Sequence, residues 1–460
     1  MKALIVFVTA AALLGQQSKP PETPPLQPFK LPQIKERKLG NGLTVLLAED
    51  QRIPLVTLRL AFVAGSRFDP EGKSGLSETV ASLLKEGTAS RNSRQIAEEL
   101  ADIGANLDVN SNADGLTVSG NVLSGQFAAL LELTSDVVRN ASFPEDEIKL
   151  RKQNRAQELA FQRSQSSTLA SEKVRSVLFG AHPYSRYLPS PASVNAITRS
   201  DLMGFRDRLL TPANAVLVLI GAIPGEQQTM DMLRARFESW TNKPVPTPPS
   251  GEAPKAARKL VVIDRPGSAQ VDIMTGHATV NRLQADYFPL IVGTAILGGG
   301  ASSRLFLNLR ERDGFAYQAN AMHVPFRDTG YVSAITQVRP EVLEPAMKGL
   351  FAEMDKMAAE PVTSQELSNV KNYLNGFFVI GLESQGGLAN QLAALRVAGA
   401  PLEYLEQYVT RVRSVEPDQI QRVAAKYMTS KDAAIVVVGD AGKIAKTVEK
   451  FGAVQVEKAQ

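Results

Sequence analysis

Two short apolar runs, Ala215–Gly221 (AVLVLIG) and Ala434–Gly439 (AIVVVG), read as strands buried on both faces. The same signals precede each. Ser200–Leu210 has helical apolar spacing and runs into Thr211-Pro212, while Pro417–Tyr427 has the same spacing and runs into Thr429-Ser430. Val216 and Ile435 take matching places 219 residues apart. Strand-like Leu43–Leu47 opens the first part and Leu260–Ile263 the second. A repeat of this length predicts one domain type occurring twice.

Between these landmarks the apolar period switches between two and about 3.6. In the first part, Ser77–Lys85, Ser93–Ile103, Gln126–Arg139 and Glu145–Leu178 have helical spacing, and Gly115–Leu123 alternates as a strand. In the second, helices are expected over Tyr287–Leu297, Ser303–Arg310, Pro340–Ala359 and Ser364–Leu382, with strands over Phe315–Val324 and Gly330–Gln337. The expected fold class is α+β: two homologous domains, each a mostly antiparallel sheet packed against helices.

Pro-rich stretches divide the chain. Residues 18–34 carry Pro20, Pro21, Pro24, Pro25, Pro28 and Pro32, and residues 243–256 carry Pro244, Pro246, Pro248, Pro249 and Pro254. Both read as extended linkers. They bound an N-terminal domain at 35–242 and a C-terminal domain at 257–455. Ahead of the first linker, Lys2 and the apolar run Ala3–Leu14 read as a secretory signal over residues 1–17, too short for a comfortable membrane span. The expectation is export to the periplasm or the extracellular space, with no membrane span in the mature chain.

Composition excludes several chemistries. The chain has 460 residues, 51 Lys and Arg against 47 Asp and Glu, and no Lys/Arg run of the density that nucleic acid requires. Cys is 0, which removes disulfides, thiol catalysis and Cys-ligated metal sites. His is 3, and none of His182, His277 and His323 has a His or Glu three or four residues away. A lone His is more often structural than a ligand. Gly298-Gly299-Gly300 lacks the Lys-Ser/Thr ending of a phosphate loop and reads as a flexible turn, with Ser302 or Ser303 as the N-cap of the next helix.

Phe62-Val63-Ala64-Gly65-Ser66-Arg67, Gly75-Leu76-Ser77 and Lys85-Glu86-Gly87-Thr88 resemble the insulinase/pitrilysin family of zinc peptidases. Leu297–Phe306 (LGGGASSRLF) and Leu309–Tyr317 (LRERDGFAY) follow the same family's pattern. The resemblance spans about residues 35 to 450 and is nearest to the branch of mitochondrial processing peptidase and its two-domain bacterial relatives. It implies the duplicated α+β architecture. It also implies H-x-x-E-H on the helix between the Gly-Leu and Gly-Thr landmarks, two imidazoles for zinc and a Glu as general base. Those places fall on Glu78, Ala81 and Ser82, and a third ligand position falls on Glu158. The motif is degenerate. Glu78 and Glu158 remain as carboxylates, solvated, hydrogen-bonded or touching a cation, but zinc prefers imidazole or thiolate and neither is present. No metal is therefore expected in this chain.

The resemblance also carries over an Arg and a Tyr, here Arg310 and Tyr317, that bind substrate and stabilise charge on the scissile carbonyl. Seven-residue spacing alone equally describes a helix-terminal cation and a strand aromatic. Leu107–Ser111 falls where the family pairs substrate as an added strand, with Asp108 in place of the usual Asn. The expected function is the non-metal-binding subunit of an exported heterodimeric zinc peptidase. Its partner would be a homologous subunit bearing H-x-x-E-H and the zinc, and a peptide its substrate. The alternative is a non-catalytic scaffold or peptide-binding protein of the same fold.

Overall fold

The computed structural model describes residues 31–248 and 258–459. The expected signal (1–17), most of the first linker and the later part of the second lie outside the described residues.

Among the described residues, twelve strands form two six-stranded sheets. The first holds β1 (Lys35–Lys38), β2 (Thr44–Glu49), β3 (Leu55–Phe62), β4 (Asn106–Ser111), β5 (Leu116–Leu123) and β6 (Ala215–Gly221), in the order β1-β2-β6-β3-β5-β4. The second holds β7 (Lys259–Asp264), β8 (Val271–Thr279), β9 (Ala316–Pro325), β10 (Gly330–Val338), β11 (Ala434–Gly439) and β12 (Val454–Lys458), in the order β12-β7-β11-β8-β10-β9. Apart from β1 and β12 the orders match strand for strand, and so do the senses. β2–β6 and β7–β11 are parallel, and the remaining pairs in each series are antiparallel. The two halves differ in the outermost strand: β1 runs antiparallel to β2, whereas β12 runs parallel to β7.

The runs that opened the sequence reading are β6 and β11, and every residue of both is buried. Layering explains why they are apolar throughout. One face of the first sheet, with Leu217 and Leu219 of β6, packs into a core with Val80, Leu130, Leu202 and Leu233 from the helices of its own half. The opposite face meets the helix Gln385–Val397, which belongs to the second half of the sequence and lies against β3 and β6. The second sheet repeats this in reverse. Its β8 and β11 are covered by the helix Ser166–Phe179 from the first half. Leu169, Val174 and Leu178 of that helix pack with Val261, Met274, Val436 and Val438. Covered on both faces, the central strands lose the polar alternation of a half-exposed strand.

This exchange corrects one expectation. The helical pattern of Glu145–Leu178 is two helices, Glu145–Arg163 and Ser166–Phe179. At the break the Ser164 hydroxyl donates to the Phe161 carbonyl at 2.7 Å, and Gln165 turns extended. A Ser/Gln cluster offers the backbone such local alternatives, and the chain then crosses to the other sheet. Gly276 of β8 makes the crossing possible. A Cβ there would lie 2.5 Å from Val174 Cγ1, so only glycine lets the helix approach this closely.

Polar contacts also join the halves. Arg67 pairs with Asp328 at 2.5 Å, and Asp114 accepts from the Arg327 N–H at 2.9 Å. Within the first half, Asp114 also lies 3.4 Å from Arg67 and accepts from the Tyr184 hydroxyl at 2.5 Å. Tyr184 stacks on Phe326 with ring centroids 4.2 Å apart.

Candidate functional site

The helix Leu76–Leu83 carries the three degenerate motif positions. Gly75 precedes it with φ 95°, a left-handed conformation suited to glycine. The buried Asp69 carboxylate accepts from Gly75 N–H at 2.8 Å and Ser77 N–H at 2.9 Å, satisfying two amides at the helix start. Burial nevertheless pushes the Asp69 carboxyl up to about 7, against the pull of those bonds. Ala81 is buried in the core, and the Ser82 hydroxyl bonds back to the Thr79 carbonyl at 3.0 Å. Neither offers a ligand or a base.

Glu78 and Glu158 do come together, but through two arginines that the sequence reading passed over. Arg151, Arg155 and Glu158 lie on one face of the helix Glu145–Arg163, at i, i+4 and i+7. Arg151 donates to Glu158 Oε1 and to Glu78 Oε1, both at 2.9 Å. Arg155 donates to Glu158 Oε2 at 3.2 Å and to Glu78 Oε2 at 3.0 Å. Each of the four carboxylate oxygens thus meets a guanidinium. Two guanidinium groups lie between the carboxylates that the resemblance assigns to metal-ligand positions, and the donor set lacks imidazole and thiolate. These residues do not fit zinc. Among the described residues no cluster of three or more His, Cys, Asp or Glu side chains could hold a metal.

The three histidines have structural surroundings. His182 Nδ1 accepts from Tyr184 N–H at 3.2 Å, and its ring lies 4.7 Å from that of Tyr184. His277 is buried on β8, and His323 Nε2 lies 3.0 Å from the Thr279 hydroxyl. Burial pulls both His277 and His323 down to about 4, leaving them neutral near pH 7.

Arg310 and Tyr317 form a separate constellation. Arg310 lies in the last turn of a helical segment whose stretch Phe306–Arg312 widens to π-helical geometry. Gly314, at φ 62°, ends that segment. Tyr317 follows at the start of β9, where the β10 register shifts: Gln337 pairs with Gln318 and Val338 with Ala316. Tyr317 is the extra residue of that β-bulge, a device that re-aims a side chain. It is 73% exposed. Arg310 Cζ lies 5.0 Å from the Tyr317 ring centroid and 4.6 Å from that of Phe306, so the cation rests between two aromatic rings. Glu311 is its carboxylate neighbour at 3.4 Å.

Of the three glycines upstream, Gly299 and Gly300 lie in the bend between two helices, whereas Gly298 is still helical. Gly298 closes the helix Tyr287–Gly298, and a Cβ on it would fall 2.0 Å from the Ala321 amide nitrogen of β9. The glycine lets that helix press on the strand that begins with Tyr317. Ser303 precedes the next helix, but its buried hydroxyl makes no capping bond.

On the first half, β4 is an edge strand that, among the described residues, pairs only with β5. Asp108 is exposed on it, and Lys85 Nζ bonds the Leu107 carbonyl at 3.2 Å, tying the end of the motif helix to that edge. Next to it, a cavity of about 340 Å³ is lined by Ser77, Glu78, Ser111 and Asn112 together with Arg175 and Tyr187.

Comparison with known proteins agrees with this fold. Residues 44–192 match the family model "Insulinase (Peptidase family M16)", and residues 196–374 match "Peptidase M16 inactive domain". An uncharacterised zinc protease of Mycobacterium tuberculosis is 24% identical over 426 residues, covering 92% of this chain and 97% of the relative. The Arabidopsis thaliana protein described as "Probable mitochondrial-processing peptidase subunit beta" is 22% identical over 424 residues, covering 89% of this chain and 78% of the relative. A crystal structure of a peptidase M16 inactive domain from Pseudomonas fluorescens superposes with a TM-score of 0.81 at 25% identity, covering 88% of this chain and 98% of that one. Two consecutive family matches on a duplicated α+β frame place this chain in the insulinase/pitrilysin (M16) peptidase family.

Proposed function

We propose that this chain is the metal-free subunit of a two-chain zinc peptidase that acts on peptides outside the cytoplasm. Arg310 and Tyr317 bind the substrate and stabilise charge developing on the scissile carbonyl. A homologous partner supplies H-x-x-E-H and the zinc. The carrying observation is an asymmetry between the halves. Glu78 and Glu158 of the first half are taken up by ion pairs, whereas Tyr317 is exposed on a bulge with Arg310 against its ring. A phenol and a guanidinium held together are suited to an oxyanion. Export rests on the apolar run after Lys2. No helix of the described residues is long and apolar enough to cross a membrane.

The test is co-expression with a homologous chain that retains H-x-x-E-H, followed by a peptide cleavage assay. Activity is expected from the pair, lost on chelation, and absent from this chain alone. Normal turnover of the pair carrying R310A or Y317F would remove the assigned roles.

A second reading is a peptide-binding protein without cleavage. It draws on the open edge of β4 and on the exposed apolar stripe Tyr373, Phe377 and Ile380 of the helix Ser364–Glu383. The same assay separates the two. A chain that binds extended peptides, yet adds nothing to any H-x-x-E-H partner, is a binder.

A further inference from the structure

The family's metal position is filled in this chain, and the filling has a definite chemistry. Glu78 projects from one helix and Glu158 from the helix that faces it. Arg151 and Arg155 bridge both, with nitrogen–oxygen distances of 2.9–3.2 Å at every carboxylate oxygen. The four side chains balance at zero net charge. The geometry is that of a closed ring: carboxylate, guanidinium, carboxylate, guanidinium.

We infer that Arg151 and Arg155 are a built-in replacement for the metal ion, clasping the two helices as an ion would and excluding any cation from the site. Three observations carry this. Arg155 is almost fully buried, with only 6% of its surface exposed, and a buried guanidinium is retained only where it is paired. Each carboxylate oxygen already accepts from a guanidinium, so no lone pair faces an open cation position without displacing an arginine. The ring also uses the very carboxylate, Glu158, that the family motif leaves available. Loss of the imidazoles is then only half of the change. Restoring them would not restore metal binding, because two cations would remain within bonding distance of the remaining ligand. The inference concerns this chain alone and holds whether or not a partner subunit exists.

The experiment uses the full chain and the zinc ion itself. The variant E78H/A81E/S82H restores the motif and keeps both arginines. A second variant adds R151Q/R155Q. Zinc content after equilibrium dialysis and the zinc-dependent shift in melting temperature are read for both. The first variant is expected to hold almost no zinc. The second is expected to bind about one ion per chain, at least 100-fold more tightly, with a raised melting temperature. Stoichiometric zinc in the first variant overturns the inference, and so does a folded second variant that stays zinc-free. If the second variant loses its circular dichroism without metal, recovery of the signal on adding zinc supports the clasp. Failure to recover in saturating zinc overturns it.

Discussion

Arg155 brackets Glu78 from the facing helix, with Nη2 3.0 Å from Oε2 and Nε 2.9 Å from Oε1. The arginine is buried and the glutamate is about one-third exposed. Breaking an ion pair so placed costs more than breaking a surface pair and less than breaking a fully buried one. R155A should therefore destabilise the fold by about 1–3 kcal/mol, and E78Q by less. The double variant should cost less than the sum of the singles, because either single already breaks the contact that the two side chains share. Urea melts of the four proteins in the cycle test this. Strict additivity would mean that the two residues act independently.

Arg310 and Tyr317 should behave in the opposite way. Both are solvent-accessible, so R310A and Y317F are expected to change folding stability by no more than about 0.5 kcal/mol. In the reconstituted pair, each is expected to lower kcat by about 100-fold or more, the scale of losing one transition-state donor. Steady-state kinetics beside thermal melts separate the two quantities. A large loss of stability with unchanged turnover would reassign both residues to packing.

Gly276 offers a steric prediction. G276A should cost about 1–3 kcal/mol, because the new methyl meets the stiff Val174 side chain. V174A alone should cost a comparable amount through the gap it leaves. The double variant is expected to be more stable than G276A, since the second change makes room for the first. Melting temperatures of the three variants check the order.

The buried imidazoles set a pH dependence. His277 and His323 fall from their ordinary range to about 4 in the fold, while in the unfolded chain they titrate near 6.5. Their contribution is complete above about pH 6.5 and is lost as pH falls through about 4. Asp69 works in the reverse sense. Its raised value favours the fold in the protonated form, and that contribution fades as pH rises toward about 7. The histidine effect is isolated by comparing H277Q with wild type. The variant should lose less stability than wild type between pH 6.5 and 4 in denaturant titrations. Equal losses would mean that His277 carries no proton linkage.

Much of this molecule was legible in its residues. The matched runs Ala215–Gly221 and Ala434–Gly439 revealed the duplication, because strands covered on both faces must be apolar throughout. The motif residues pointed to the helix Leu76–Leu83 and to Glu158, which the fold brings to face each other. Periodicity, however, shows that a helix face is buried and not which sheet buries it. The crossing of Ser166–Phe179 was invisible for that reason. Arg151 and Arg155 could have been read beside Glu158 as an ion-pair ladder on one helix face. Their link to Glu78, 73 residues from Arg151, is non-local and leaves no mark in sequence spacing. The bulge at Tyr317 is likewise a property of how β9 meets β10, and the closeness of Gly298 to β9 a property of packing.

The traded helices have a consequence for how this protein can be cut. Each sheet borrows its second cover from the other half of the chain, so neither half is a self-sufficient folding unit. A protease that nicked the Pro-rich segment between Lys243 and Pro254 would leave two fragments fastened like clasped hands, co-eluting until denatured. A gene truncated at the same place would encode a product with a bare apolar sheet face, and that product would aggregate. The connecting segment is therefore dispensable for holding the halves together, while neither half is dispensable for the other's solubility.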